Sequence, residues 1–198
     1  MVSHVSLVSQ SLNLKKERFN LNDVIVNAID NIITNRESVK INKNLIQLHY
    51  HHPPQQDIFV QADKGRISQV IHNLLDNALK FTEAGNITIS TQMEKEEQED
   101  EVIVGIKDTG RGLDFEIIPS MFSKFATKSD RGTGLGLFIS KSIIEAHGGR
   151  IWAYNNANSS ANEKRGATFT FSLPLIKKQQ PTPRYRVKAR QIERLQKN

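Results

Sequence analysis

Gln69-Val70-Ile71-His72-Asn73-Leu74-Leu75-Asp76-Asn77-Ala78-Leu79-Lys80-Phe81-Thr82 is the stretch on which the fold turns. With Ile67 ahead of it, the apolar positions are Ile67, Val70, Ile71, Leu74, Leu75, Ala78 and Leu79. This is the i, i+3, i+4, i+7 spacing of a helix with one buried stripe. Asp63 stands where such a helix needs an N-cap. The spacing predicts a helix over 64–82. Asn73, Asn77 and Lys80 fall on one flank, beside the stripe. Asparagine is a poor helix former, so two of them here weaken the helix unless they are used. Amide oxygens suit a hard cation such as Mg²⁺, which keeps several waters and also takes substrate phosphates. Lys80 adds a point charge suited to a phosphate. A solvated polar flank is the plainer alternative, and this helix by itself leaves both open.

Outward from it, strands and helices alternate. Asn22 and Asp23 offer N-cap chemistry to a helix over 23–38. Leu45–Tyr50 and Ile58–Gln61 read as strands flanking Pro53-Pro54. Ile87–Met93 and Glu101–Lys107 are two further β-type runs, joined by an acidic connection. Leu137–His147 is helical, with Gly148-Gly149 as its stop. Ile151–Tyr154 and Ala167–Leu173 are the last strands. Paired strands followed by helices predict an α/β fold, a two-layer sandwich with one mixed, mostly antiparallel sheet and three main helices on one face.

The chain has 198 residues, 37% of them hydrophobic and 24% charged, which is one globular domain with a short appendage. It has no cysteine, so disulfides, thiolate nucleophiles and cysteine–zinc sites are excluded. The net charge of +6 invites a nucleic-acid reading. Residues 177–198, however, hold eight Lys/Arg against one acid, Glu193, and the rest of the chain is close to neutral. The basicity therefore belongs to a tail, expected to be mobile, and no nucleic-acid partner is expected. No apolar run approaches the ~20 residues of a membrane span. A cytoplasmic domain is expected, tied to a membrane only through parts beyond this chain.

Two glycine motifs carry chemistry. Asp108-Thr109-Gly110-Arg111-Gly112 ends a strand: a carboxylate there can accept from an amino group, and Gly110 and Gly112 let a ligand approach the backbone. A plain turn is the alternative. Gly132-Thr133-Gly134-Leu135-Gly136-Leu137 runs into a helix, where free N–H groups and the helix dipole favour phosphate. It fits neither the P-loop nor the dinucleotide fingerprint. Phe122 and Phe125 lie between the two motifs, with Lys124, Lys128 and Arg131 nearby, and predict a lid with aromatic anchors and basic tips.

In this order and at this spacing, the three motifs, with Phe122–Phe125 and Gly166-Ala167-Thr168-Phe169, resemble the ATP-binding catalytic domain of sensor histidine kinases. They match that family's N, G1, G2 and F boxes and its last glycine–threonine box, over residues 22–176. The resemblance implies the Bergerat fold of the GHKL superfamily and ATP with Mg²⁺ as cofactors. It implies that Asp108 binds the adenine amino group with support from Thr168, and that Phe81 stacks on the base. Asn77 is the implied Mg²⁺ ligand and Asn73 lines the triphosphate. Lys80 and the amides of 132–137 hold phosphates, which places Asn73 and Lys80 among the catalytic residues. Lys124, Lys128 or Arg131 reaches the γ-phosphate, and the sequence does not choose among them.

Superfamily members that hydrolyse ATP carry a glutamate one turn before the second asparagine. Here that residue is Asn73, which cannot act as a base. Asp76 faces about 100° away from Asn77. Transfer to a protein histidine is therefore the expected reaction. His4 lacks the acidic residue and proline that follow the family's acceptor histidine. Residues 1–21 are expected to be the end of a preceding dimerisation and phosphoacceptor segment. The hairpin acceptor itself is expected on another polypeptide, with a response regulator downstream. The fragment is expected to be a monomer and the full kinase a homodimer. Two other readings stay open: a degenerate GHKL module that uses nucleotide to choose a partner, and an anti-sigma-type serine kinase.

Overall fold

The structure is a computed structural model that describes residues 13–35, 45–52, 57–95, 100–126, 134–157 and 166–176. In chain order its elements are β1 (Glu17–Asn20), α1 (Leu21–Asn35), β2 (Ile46–His51), β3 (Phe59–Ala62), α2 (Lys64–Phe81), β4 (Gly85–Glu94) and β5 (Glu101–Asp108). A 3-10 turn (Ile118–Ser120), α3 (Gly136–Ala146), β6 (Ile151–Asn155) and β7 (Ala167–Pro174) follow. Among the described residues, no helix is long and apolar enough to cross a membrane.

The main sheet runs β2-β4-β5-β7-β6, with β2 and β4 parallel and the other pairs antiparallel. Alternation along the strands sends Ile87 and Ile89, then Val102, Val104 and Ile106, then Phe169, Phe171 and Leu173 into the core. The helices cover this face. The seven α2 residues of the predicted stripe are all buried, from Ile67 to Leu79. Each apolar side chain of this size removed from water stabilises the fold by about 1.5–3 kcal/mol. The two-layer α/β sandwich expected from the sequence is the observed architecture.

Two local expectations change. Residues 17–20, expected as the end of a helix, form β1, which pairs antiparallel with β3 in a separate two-stranded ribbon. Phe19 is the reason: it buries against the core, which an extended chain allows and a helix continuing from the polar run before it would not. Residues 1–12, including His4, lie outside the described residues. The cap of α1 is also earlier than expected. Asn20 Oδ1 accepts from the N–H of Asn22 at 3.1 Å and of Ile58 at 3.3 Å, so Asn22 and Asp23 lie inside the first turn.

Asp63 is the N-cap of α2, as expected. Its Oδ1 accepts from the Arg66 N–H at 3.1 Å and its Oδ2 from the Lys15 N–H at 2.9 Å. The Lys15 amide, more than any other group, holds the Asp63 carboxyl below its ordinary range. The Asp63 N–H donates to His147 Nε2 at 2.9 Å, and His147 Nδ1 lies 2.8 Å from the Ile143 carbonyl. An accepting Nε2 requires the neutral ring with its proton on Nδ1. His147 is thus a buried neutral ring that pins the C-terminus of α3 to the N-terminus of α2.

Burial pushes the His147 pKa down. An unfolded histidine takes a proton near pH 6.5, and the buried ring resists it. The unfolded chain then binds more protons, so stability falls as pH drops below about 6.5 and through the lowered folded value. Denaturant midpoints between pH 7.5 and 5.5 should fall more steeply for the wild type than for His147→Ala. At pH 7.5 that variant should be about 1–3 kcal/mol less stable. Parallel pH profiles would assign the dependence to another group.

Candidate nucleotide site

Asp108 ends β5 opposite Ile87, with its side chain on the core face and only 3% of the residue exposed. Its Oδ1 accepts from the Gly110 N–H at 2.8 Å and from the Ala167 N–H at 3.2 Å. Its Oδ2 takes no hydrogen bond from the described residues. Burial pushes the carboxyl pKa up, and the two amides offset part of that rise. The following turn sits on the end of α2. A Cβ on Gly110 would strike the Phe81 carbonyl oxygen, so only glycine fits there. The Arg111 N–H donates to that same carbonyl at 3.3 Å.

The polar flank of α2 faces this turn on one side and α3 on the other. Asn73 Nδ2 donates to Ser140 Oγ at 2.9 Å, and Ser140 is buried. A Cβ on Gly136 would strike Asn73 Oδ1, so the first residue of α3 must be glycine for the helices to approach. Asn73 thus ties α2 to the start of α3. Asn77, one turn on, is half-buried and makes no side-chain hydrogen bond among the described residues. Lys80 is exposed, with Nζ 5.2 Å from the centroid of the Phe81 ring. The Arg111 guanidinium lies over the same ring at 4.6 Å.

Of the glycine-rich segment, Gly134, Leu135, Gly136 and Leu137 are described and half-buried. Lys128, Arg131, Gly132 and Thr133, all expected in the site, lie outside the described residues. The cap position of α3 is Leu135, which has no side-chain acceptor for the amides of the first turn. Phe122 packs on the core, whereas Phe125 is 70% exposed, so only the first of the two expected anchors docks. Gly134 is against the Phe125 backbone, and that brings both ends of the segment together. Lys124 Nζ lies 5.1 Å from the Phe138 ring. Gly112 has φ +78 and bends the chain away from Asp108.

Thr168 is not where the sequence reading put it. Phe169 and Phe171 point into the core, so alternation turns Thr168 to the opposite face of the sheet from the Asp108 carboxylate. The β7 side chain beside that carboxylate is the methyl of Ala167. Thr168 Oγ1 donates to Asn156 Oδ1 at 2.6 Å, and Asn156 Nδ2 donates to the Asp108 carbonyl at 2.8 Å. Thr168 therefore supports Asp108 indirectly, through its backbone. Asn156, Ser140 and Arg111 are the site-building residues the sequence reading missed. The pairing of Asn156 and Ser140 with distant partners leaves no local spacing to detect.

A cofactor test follows from this donor set. Among the described residues, no group of three His, Cys, Asp or Glu gathers to hold a metal. The set does not fit an all-protein cage. It fits a Mg²⁺ that takes one amide oxygen, from Asn77, which has no hydrogen-bond partner among the described residues, and its other ligands from phosphate and water.

The profile of the histidine kinase-, DNA gyrase B- and HSP90-like ATPases matches residues 62–177, more than half of the chain. The chain belongs to this ATPase family. Within the family it is similar to histidine kinases. The solved catalytic domain of histidine kinase ThkA, in a nucleotide-free form, is 34% identical with a TM-score of 0.65. That match covers 81% of this chain and 98% of ThkA's. Sensor protein FixL of Bradyrhizobium diazoefficiens is 41% identical over 129 residues, 65% of this chain and 24% of FixL. Sensor histidine kinase WalK of Bacillus subtilis is 36% identical over 134 residues, 64% of this chain and 21% of WalK. The chain thus spans a quarter or less of these two relatives' length. As an ATPase-family domain it has the fold of histidine kinase catalytic domains, and the motifs quoted above lie within the matched residues 62–177.

Proposed function

We propose that this chain is the ATP-binding catalytic part of a sensor histidine kinase. It binds Mg-ATP and passes the γ-phosphoryl group to a histidine on a phosphoacceptor helical hairpin supplied by another segment or chain. A response regulator would receive the group next, and the whole kinase would act as a homodimer. The observation that carries this reading is the buried Asp108 carboxylate: its Oδ1 is held by two amides, and its Oδ2 is left for the amino group of adenine. The similarity to a histidine kinase catalytic domain over 98% of that domain supports the same reading.

Each residue then has a task. Asp108 fixes the base and Phe81 offers it an aromatic face. Lys80 and the amides at the start of α3 balance phosphate charge. Bound Mg²⁺, held by Asn77, would neutralise charge on the β- and γ-phosphates. Asn73 fixes α3 against α2 through the bond its Nδ2 donates to Ser140, and its Oδ1 stays able to accept. The reaction is in-line: an imidazole nitrogen of the acceptor bonds to the γ-phosphorus as the bond to the ADP oxygen breaks. This chain's own task is to hold both reactants in line.

Transfer is favoured over hydrolysis by the absence of a carboxylate on the Asn73–Asn77 flank of α2. Asn73 carries an amide, and Asp76 is exposed on another side of the helix. The test is calorimetric titration with a non-hydrolysable ATP analogue, with and without Mg²⁺. Binding that tightens with Mg²⁺ is expected. No binding by folded protein would overturn the proposal.

A further inference from the structure

Arg111, in the Asp108–Gly112 turn, has no task in the proposed function. Its guanidinium lies over the Phe81 ring at 4.6 Å, on the aromatic surface offered to the base. Lys80 Nζ lies 5.2 Å from the same centroid. Two cations therefore lie close to one half-buried ring. Neither has a carboxylate partner among the described residues. The backbone of Arg111 is fixed there whatever its side chain does, because its N–H donates to the Phe81 carbonyl and Gly110 is wedged against it.

We infer that Arg111 is a phosphate ligand for the nucleotide, its guanidinium exchanging the Phe81 ring for phosphate oxygens when nucleotide binds. Like charges brought near one ring repel, and an anion placed between them removes that repulsion. A cation on an exposed aromatic ring gains only a small stabilisation, whereas a guanidinium paired with phosphate oxygens makes two charge-assisted hydrogen bonds. A base that stacks on Phe81 displaces the guanidinium from the ring. It also brings phosphates into reach of the same long side chain, whose Cα stays anchored to the end of α2. The swap exchanges the weaker contact for the stronger one. Arg111 thereby favours nucleotides with phosphates over the bare nucleoside.

This inference rests on the adenine site proposed above, and the test separates the two. Wild type, Arg111→Ala and Arg111→Lys would be titrated with a non-hydrolysable ATP analogue, and with adenosine in competition against a fluorescent ATP analogue. The expected result for Arg111→Ala is a loss of about tenfold or more in affinity for the ATP analogue. Adenosine should bind the variant as well as wild type or up to about fivefold better, because nothing must leave the ring. Arg111→Lys should recover part of the loss, since it keeps the charge without the two-pronged geometry. An equal loss for both ligands, or no loss for the ATP analogue, overturns the inference and leaves the adenine site standing. Failure of folded wild type to bind either ligand overturns both.

Discussion

Asp108→Asn should lose about a hundredfold or more in affinity for an ATP analogue while folding as well as wild type. The substitution is close to isosteric. The Gly110 and Ala167 amides both donate to Oδ1, so they fix the oxygen of the new carboxamide in that place. Its NH₂ then occupies the position of Oδ2. A donor faces the adenine amino group where an acceptor stood, and neither can be satisfied once water is excluded. Stability should move the other way. Burial raises the carboxyl pKa, so the native state holds the ionised form at a cost near neutral pH. For wild type, stability is gained as pH falls through the raised native value toward the unfolded one, because the native state binds the proton first. The amide removes that dependence and should be at least as stable at pH 7. Binding has the opposite trend in wild type: the acceptor is lost as Asp108 protonates, at a higher pH than an ordinary carboxylate. Calorimetry and thermal melts on both proteins, at pH 7.5 and 5.5, read all of this. Equal affinity in the two proteins would remove adenine from Asp108.

Most of the architecture was legible because it is written in local periodicity. The α2 stripe is seven residues long and buried throughout, so its spacing left little choice. The strands β4 and β5 set buried apolar residues between more exposed ones, and β7 alternates apolar with hydroxyl side chains although its first seven residues are all buried. What escaped depends on partners far away in sequence. The strand β1 is four residues with one buried side chain, too little to outweigh the charged run ahead of it. The parallel pairing of β2 with β4 brings together strands separated by a crossover, which no local pattern records. The cap of α1 moved to Asn20 because that side chain also satisfies the Ile58 amide of a neighbouring segment.

The site shows the same division. Asp108, Asn77, Lys80 and Gly136 could be named from motif chemistry, and the structure brings their elements together. Thr168 was misread because a motif gives a position and not a face. One residue's offset in a strand reverses the side chain, and the pairing of Phe169 with Ile106 and its place in the core fix the phase. Asn73 changed meaning in a related way. Its Nδ2 donates to Ser140, 67 residues along the chain. An asparagine can pin two helices together as readily as it can hold a phosphate, and the spacing of α2 alone does not distinguish these uses.

That distinction makes Asn77 the sharper test of the metal. Asn73 and Asn77 have the same side chain one turn apart, but only Asn77 lacks a hydrogen-bond partner among the described residues. Asn77→Ala should therefore leave the fold intact and abolish the gain in affinity that Mg²⁺ gives wild type. Binding of the ATP analogue without Mg²⁺ should be unchanged. Phosphoryl transfer to a separately supplied acceptor hairpin should fall by about a hundredfold or more, since the charge on the γ-phosphate is then balanced by cationic side chains and amides alone. Asn77→Asp keeps an oxygen at the same reach and should keep the Mg²⁺ response. A structural role would give the reverse pattern: both variants destabilised, and the Mg²⁺ response retained in whatever fraction folds. If Asn77→Ala still responds to Mg²⁺ as wild type does, the metal is held by phosphate and water without this residue, and the lack of a partner at Asn77 needs a different ligand to explain it.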